Sequence, residues 1–419
     1  MNKDNFGEKI KDYIFNNMVT ILFVVLCIAG LCVSGQPLSL VCNELMARIA
    51  RNSFLVLALI IPVIAGMGLN FGIVIGAMAA QIVLIAVTHW RIGGVGGFIL
   101  CVVLTTPLAI IFGYLTGKIL NKTKGQEMIT GMILAFFANG LYQLLFLFLV
   151  GTLIPMKDPV LMLSGGIGIK NTVDLNGGLK YALDGIINKS MYVVIYNLAI
   201  FGAVLALGLI IYSIIKKKKA LTTKSIFGLI VAAISFGLCQ INSVALLLDY
   251  INVPIVTIIV IAALWIFNVL IFKTKIGQDF KTVGQNPTVA NASGINVDKT
   301  RIKAIVISTV LAAWGQLIFL QNIGTLNTYG SHEQVGMFAI AAILIGGATV
   351  SKATNKQGLI GVILFHTLFI VSPTAGKNLF NNAQIGEYFR VFVAYGVICI
   401  SLVLYAWKDN VKRRQEVKL

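Results

Sequence analysis

KTKIGQDFKTVGQNPTVANASGINVDKTRIK, Lys273 to Lys303, is a polar stretch set between long apolar runs. It is too polar to lie in a bilayer and too short to be a folded domain. Its middle predicts a very short capped helix. Asn286 is placed to be the N-cap, its side-chain oxygen accepting a backbone N–H. Pro287 suits the first helical position, where a missing N–H costs nothing. Thr288 to Ser293 would form the helix, and Gly294 can take the left-handed stop. Ala290 and Ala292 give it a small-residue surface, and lysines and Arg301 flank it. A solvated linker rarely needs such caps, so the 273–303 loop reads as a docking surface.

The runs on either side decide the fold. The chain has 419 residues, 58% of them hydrophobic and 11% charged, against about 25% charged in a soluble domain. Spans of bilayer length are expected near 18–34, 53–67, 69–88, 97–117, 129–150, 191–215, 225–248, 254–272, 304–322, 336–351, 357–371 and 388–407. The fold class is therefore all-α, a polytopic membrane bundle of about 10–12 helices. The expected parts are an N-terminal segment 1–17, a transmembrane domain 18–407 and a basic tail 408–419, with an outer loop at 151–190. With the N-terminus inside, the inner segments carry 24 of the 33 lysines and arginines. That asymmetry puts both termini in the cytoplasm. The net charge of +18 then orients the chain and meets anionic lipid; it is no nucleic-acid patch. The first apolar run lacks a clean cleavage site and reads as an uncleaved helix.

Residues 36–52 carry Glu44, Arg48 and Arg51 at helical spacing and predict an interfacial helix on the outer face. In IPVIAGMGLNFGIVIGAMAAQ, Ile61 to Gln81, small residues recur every four positions, which lets helix backbones approach closely. The cluster at Gly66, Gly68 and Asn70 can interrupt the helix. An interruption in a membrane requires cover by protein or a water-filled cavity, so 53–88 is either two spans or one broken unit. The 151–190 loop suits an outer cap or partner surface, or is simply mobile.

No catalytic constellation emerges. GYLTGK at 113–118 is one residue short of a phosphate loop and lies in a span. The six cysteines show neither metal-ligand nor CxxC spacing. Of the three histidines only His366 falls inside an expected span, where hydrogen-bonded packing accounts for it. Apart from His366 and Arg390, the expected span cores hold no ionisable residue, unlike those of ion-coupled transporters. They hold amides instead: Asn70, Gln81, Asn139, Gln143, Asn197, Gln240, Asn242, Asn268 and Gln316. Any single amide can simply glue helices together. Several together fit a pathway for a neutral solute, with Asn70, Asn139 and Gln143 the first candidates to face it.

GQNPTVANASGINVDKTRIKAIVISTVLAAWGQLI, Gly284 to Ile318, resembles the cytoplasmic loop and following helix of ABC-importer permeases. The branch is the one for ribose and other simple sugars, nucleosides and branched-chain amino acids. AIAAILIGGATV, Ala339 to Val350, GLNFGIVIGAMAA from Gly68 and GQEMITGMIL from Gly125 resemble three further motifs of that branch, in the expected order. The acid of the sugar members is absent after Gly68. Asn70-x-Gly72 and Glu127-x-Ile129-Thr130 are more similar to the nucleoside members. The resemblance, over roughly 50–375, implies a permease subunit in the cell membrane that binds no nucleotide. It implies two permeases, identical or homologous, two ATPases that hold ATP and magnesium, and an extracytoplasmic solute-binding protein. Asn286, Pro287, Ala290, Ala292 and Gly294 would then belong to a coupling helix seated on an ATPase. A nucleoside or monosaccharide is the expected solute. The alternatives are a branched-chain amino acid permease and a stand-alone secondary carrier.

Overall fold

In lipid an apolar segment must satisfy its backbone hydrogen bonds internally, and a helix does so within one segment. The computed structural model describes residues 14–15, 17–216 and 219–416, most of them helical. Most of the expected 1–17 segment, and Lys217 and Lys218 of the basic run, lie outside the described residues.

In chain order the helices are α1 Met18–Ser34, α2 Leu38–Ala58, α3 Ile60–Ile64, α4 Ile73–His89, α5 Gly94–Lys122, α6 Glu127–Leu144, α7 Met191–Ile215, α8 Lys219–Cys239, α9 Asn242–Tyr250, α10 Ile255–Ile271, α11 Lys275–Gln285, α12 Pro287–Ala292, α13 Val297–Ile323, α14 Ser331–Ile345, α15 Asn355–Phe380 and α16 Ala383–Glu416. The π turn Leu145–Leu149 extends α6. Four short strands, β1 Thr172–Asp174, β2 Asn188–Ser190, β3 Asn252–Pro254 and β4 Thr325–Asn327, pair antiparallel as β1–β4 and β2–β3. Among the described residues, seven helical stretches are long and apolar enough to cross a membrane. The bent pairs α8–α9 and α10–α11 raise that to as many as nine. The three shorter apolar helices α1, α4 and α14 occupy the other expected positions.

α13 is the central helix, packed against α2, α4 and α5 and buried along most of its length. Small residues make this possible. A side-chain carbon at Gly76 would lie 2.5 Å from the Thr309 carbonyl oxygen, and one at Gly113 would lie 2.9 Å from Val306 Cα. Close backbone approach of this kind drives helix association in lipid. By contrast α7 and α8 pack mainly on each other and expose Leu198, Phe201 and Phe227.

The contacts sort the loops into two ends. The 273–303 stretch, the α5–α6 turn and the 346–354 turn share one end, here the basic end. There Lys124 pairs with Asp298 at 2.8 Å, and Thr20 of α1 donates to the Ile345 carbonyl at 3.1 Å. The 151–190 loop and the strand pairs share the opposite end. That loop is no loose connection, because β1 and β2 tie it across the bundle to β4 and β3.

Several sequence expectations need correction. Residues 36–52 are not a separate helix: from Leu38 they run on into the candidate crossing Leu38–Ile64. Arg48 and Arg51 are tolerated there because their guanidinium groups lie over the rings of Phe369 and Phe319, at 4.8 and 5.9 Å. The 53–88 region is two crossings. The chain descends through α2 and α3, turns at 65–72 on the basic end, and returns in α4, whose His89 faces Asp158 at 3.9 Å. The expected span 336–351 is displaced: its helix starts at Ser331 and stops at Ile345. Gly346 ends it because α15 crosses there. A side-chain carbon at Gly346 would sit 1.8 Å from the Gln357 carbonyl, and one at Gly361 1.8 Å from that of Ala342. Finally α16 runs on to Glu416, so much of the basic tail is helical.

Candidate functional site

The basic end presents the stretch Lys273 to Lys303 as three short elements. α11 is amphipathic, burying Gly277, Phe280 and Val283. Asn286 caps α12 as expected, its Oδ1 accepting from the N–H groups of Thr288 at 2.9 Å and Val289 at 3.1 Å. The helix is Pro287–Ala292, one residue earlier at each end than expected. Gly294 sits at φ +80°, and the Ile295 N–H returns to the Ala290 carbonyl at 3.0 Å. Pro287, Thr288, Val289, Asn291 and Ala292 are exposed. Ala290 is fully buried, so it anchors the helix from within while Ala292 faces outward. The result is a small, uncharged knob standing clear of the bundle.

This platform touches the helix break directly. A side-chain carbon at Gly284 would lie 2.0 Å from the Ile64 carbonyl oxygen, and one at Gly66 2.7 Å from Gly284 Cα. Two bare backbones therefore meet where α11 ends and the 65–72 turn begins. In that turn Asn70 Oδ1 accepts from the Gly72 N–H at 3.0 Å, which shapes the entry to α4. Asn70 is buried, and its Nδ2 has no partner among the described residues.

Further into the bundle α4, α6, α13 and α14 bring polar groups together. Gln81 Oε1 accepts from the Tyr142 hydroxyl at 3.0 Å and lies 2.8 Å from His332 Nδ1. Gln81 and Gln316 both donate to Ser331 Oγ, each at 2.9 Å. His332 Nε2 lies 3.1 Å from Asn139 Oδ1, and Asn139 Nδ2 donates to Glu333. Gln316 Oε1 is left buried without a partner among the described residues, and the network opens outward at Glu333. That half-buried carboxylate lines a cavity of about 490 Å³ together with Asn327, Gln334, Phe71, Phe136 and Tyr395. Aromatic walls with a few convergent polar groups are the usual make-up of a small-molecule site. Nearby, Tyr329 donates to the Ile169 carbonyl at 2.8 Å, and burial pushes its phenol up to about 12. It remains a hydrogen-bond donor at physiological pH.

Of the three residues expected to face solute, the structure brings two to this region. Asn139 joins the network, and Asn70 adjoins the cavity through Phe71. Gln143, one turn beyond Asn139, makes none of these contacts; Tyr142 takes its place. Sequence reading missed His332, Glu333, Tyr142 and Ser331. They precede the expected span start at 336 or carry no amide. The expectation that span cores lack ionisable groups is thereby corrected, by Glu333 and His332 here and by Arg48 and Arg51 in α2. Other expected amides fall elsewhere. Asn197, Gln240 and Asn242 are exposed. Asn268 holds helices together, donating to the Leu57 carbonyl and to Asn355, both at 3.1 Å.

Comparison with known proteins resolves the class. Residues 178–402, more than half of the chain, match the family model described as "Branched-chain amino acid transport system / permease component". The chain belongs to this permease family. With its apolar helices, that makes it a multi-pass protein of the plasma membrane. Among curated relatives, the xylose transport system permease protein of Haemophilus influenzae is 29% identical over 182 residues, 43% of this chain and 45% of the relative. A nucleoside ABC transporter permease protein of Lactococcus lactis is 27% identical over 164 residues, 38% and 42% of the two chains. A guanosine ABC transporter permease protein of Bacillus subtilis is 29% identical over 109 residues, 26% and 32%. In these matches the permease spans less than half the length of its relatives. No solved structure matches it. The relatives are named as permeases, which are transport components and not catalysts.

Proposed function

We propose that this chain is the membrane permease subunit of an ABC importer for a small neutral solute, a nucleoside or a monosaccharide. ATP and magnesium belong to a partner ATPase seated on the Pro287–Ala292 knob. A solute-binding protein delivers to the opposite end, and a second permease copy or homologue completes the pathway. Both termini face the cytoplasm. The observation that carries this reading is the contact of Gly284 with Ile64 and Gly66. It joins an exposed capped helix to the turn at the floor of the aromatic, polar cavity. A movement imposed on the knob has a rigid backbone route to the cavity wall. Phe71, Phe136 and Tyr395 offer faces for a sugar or base, and Glu333, Asn327 and Gln334 offer hydrogen bonds.

A branched-chain amino acid is the second reading, favoured by the family's own description. Competition of labelled uptake by xylose, guanosine and leucine separates the two. The half-buried Glu333 removes one sequence argument against a secondary carrier, and the family match now stands in its place. The deciding experiment is uptake and ATPase activity in the reconstituted complex carrying Ala292→Glu. An exposed small residue becomes a charge in a packed groove, where an unpaired charge is costly. Uptake is expected to collapse while membrane insertion stays normal. Asn286→Ala removes a cap worth ~1 kcal/mol and should uncouple partially. Wild-type uptake in Ala292→Glu would reduce the knob to a connection. A cysteine label at Asn291 should react only from the cytoplasm, and one at Asn171 only from outside.

A further inference from the structure

A second polar cluster, between α2, α15 and α16, takes no part in the network above. His366 is 1% exposed, and neither of its ring nitrogens has a hydrogen-bond partner among the described residues. The expectation that packing hydrogen bonds would account for it is not met. The Nε atoms of Arg48 and Arg51 are buried and likewise unpartnered. One ring gathers the cluster. Arg48 lies 4.8 Å and Arg390 5.0 Å from the centre of Phe369, and the His366 ring centre lies 6.4 Å from it. The nearby carboxylates do not balance these charges. Glu44 is exposed one turn before Arg48, and Glu387 is already paired with Arg390 at 2.5 Å.

Aromatic faces soften the burial of a guanidinium but leave its in-plane N–H groups without acceptors. Buried cations inside a membrane protein are ordinarily paired. With Glu387 on Arg390 and Glu44 exposed beside Arg48, three guanidinium groups face two carboxylates, and the buried Nε atoms of Arg48 and Arg51 have no acceptor among the described residues. Access exists from the opposite end. Arg51 lines a polar cavity of about 500 Å³ with Asn43, Glu44, Asp184, Asn188, Asn252 and Asn322. Asp184 itself is occupied by Thr257 and by Asn322, the latter at 2.5 Å. Arg48 is ten residues into α2 and Arg390 seven into α16, so they lie roughly 15 and 10 Å from the helix ends.

We propose that Arg48, Arg51, Arg390 and His366 form a binding site for a small singly charged anion, a carboxylate or a halide, entered through the cavity that Arg51 lines. The anion neutralises the cluster and holds α2, α15 and α16 together. The site is separate from the solute cavity and stands independently of the importer reading. The test is thermal unfolding of the purified full chain in detergent, at constant ionic strength in a sulfate background, titrated with formate or chloride. A saturable rise of several degrees is expected, as for any ligand that binds only the folded state. Arg48→Gln should lose that response and unfold at a higher temperature than wild type without anion, because it relieves repulsion. No saturable rise with either probe, or an equal rise in Arg48→Gln, overturns the proposal. So does a rise obtained only with added phosphatidylglycerol, which would assign the cations to lipid. Should Arg48→Gln not fold, equilibrium dialysis of wild type with radiolabelled formate decides. One chloride-displaceable site per chain is expected, and no binding sinks the idea.

Discussion

His332 and His366 are buried in successive helices of one bundle, and their surroundings are opposite. Both ring nitrogens of His332 face amide oxygens, and Gln81, Asn139 and Ser331 pass the hydrogen bonds on. Both ring nitrogens of His366 face nothing that bonds them among the described residues, and the nearest polar neighbours are cations. The difference is one of chemistry more than of burial. Amides and hydroxyls both donate and accept and a carboxylate accepts, so most of a buried network of them finds partners. Guanidinium groups only donate, so a cluster of them cannot close without an outside acceptor. A satisfied network makes its helices rigid, and an unsatisfied one invites a ligand.

The contrast can be tested by breaking each side, taking the largest effect first. Gln81→Leu strands the Tyr142 hydroxyl and His332 Nδ1 and leaves Ser331 Oγ with Gln316 alone. Each stranded buried group costs about 1–3 kcal/mol, so the unfolding temperature in detergent should fall by many degrees. A fall of under a degree would mean that the network is not closed through Gln81. Asn139→Leu removes a hydrogen bond to the Glu333 carboxylate, about 1.5–3 kcal/mol, or tenfold or more in an equilibrium constant. Solute uptake should drop by that order while the complex still assembles. Gln143→Leu should change uptake less than about twofold, well under 1.4 kcal/mol. Equal losses in the two variants would show that α6 is sensitive as a whole. Tyr142→Phe deletes one hydroxyl at one edge of the network and should cost about 1 kcal/mol, read from the same unfolding curves. The smallest effect is expected on the other side. His366→Leu exchanges an unpartnered imidazole for hydrocarbon, so in sulfate buffer stability should stay within about 1 kcal/mol of wild type or rise. A loss as large as that of Gln81→Leu would show that His366 is held by bonds after all.

Local features were legible without the fold. The Asn286 cap, Pro287 at the first helical position and Gly294 at positive φ all appear where their side chains place them. Each depends on residues within a turn or two. The outward face of α12 was not legible. Nothing adjacent in sequence separates Ala290, buried in the chain's own packing, from Ala292, which is exposed. The start of α14 was misplaced because Ser331, His332, Glu333 and Gln334 look like loop residues to any local measure of hydropathy. Ser331, His332 and Glu333 are drawn into the bundle because partners about 190 to 250 positions earlier receive them, while Gln334 stays exposed. Arg48 and Arg51 were placed at the water interface for the same reason, since the rings of Phe369 and Phe319 that cover them are hundreds of residues away.

Taken alone, the order of residues determined that the chain is a polytopic helical membrane protein, which segments carry the positive charge, and where a short capped helix forms. Those are properties of segments, set by hydropathy over about 20 residues and by capping over a few. Tertiary structure alone decided which polar groups meet. It decided that Gly284 touches Gly66, that Asn139 serves Glu333 while Gln143 does not, and that one histidine faces amides while the other has no partner among the described residues. Hydrogen bonds and ion pairs act over a few ångströms, and in this chain the atoms within that distance come from helices far apart in sequence.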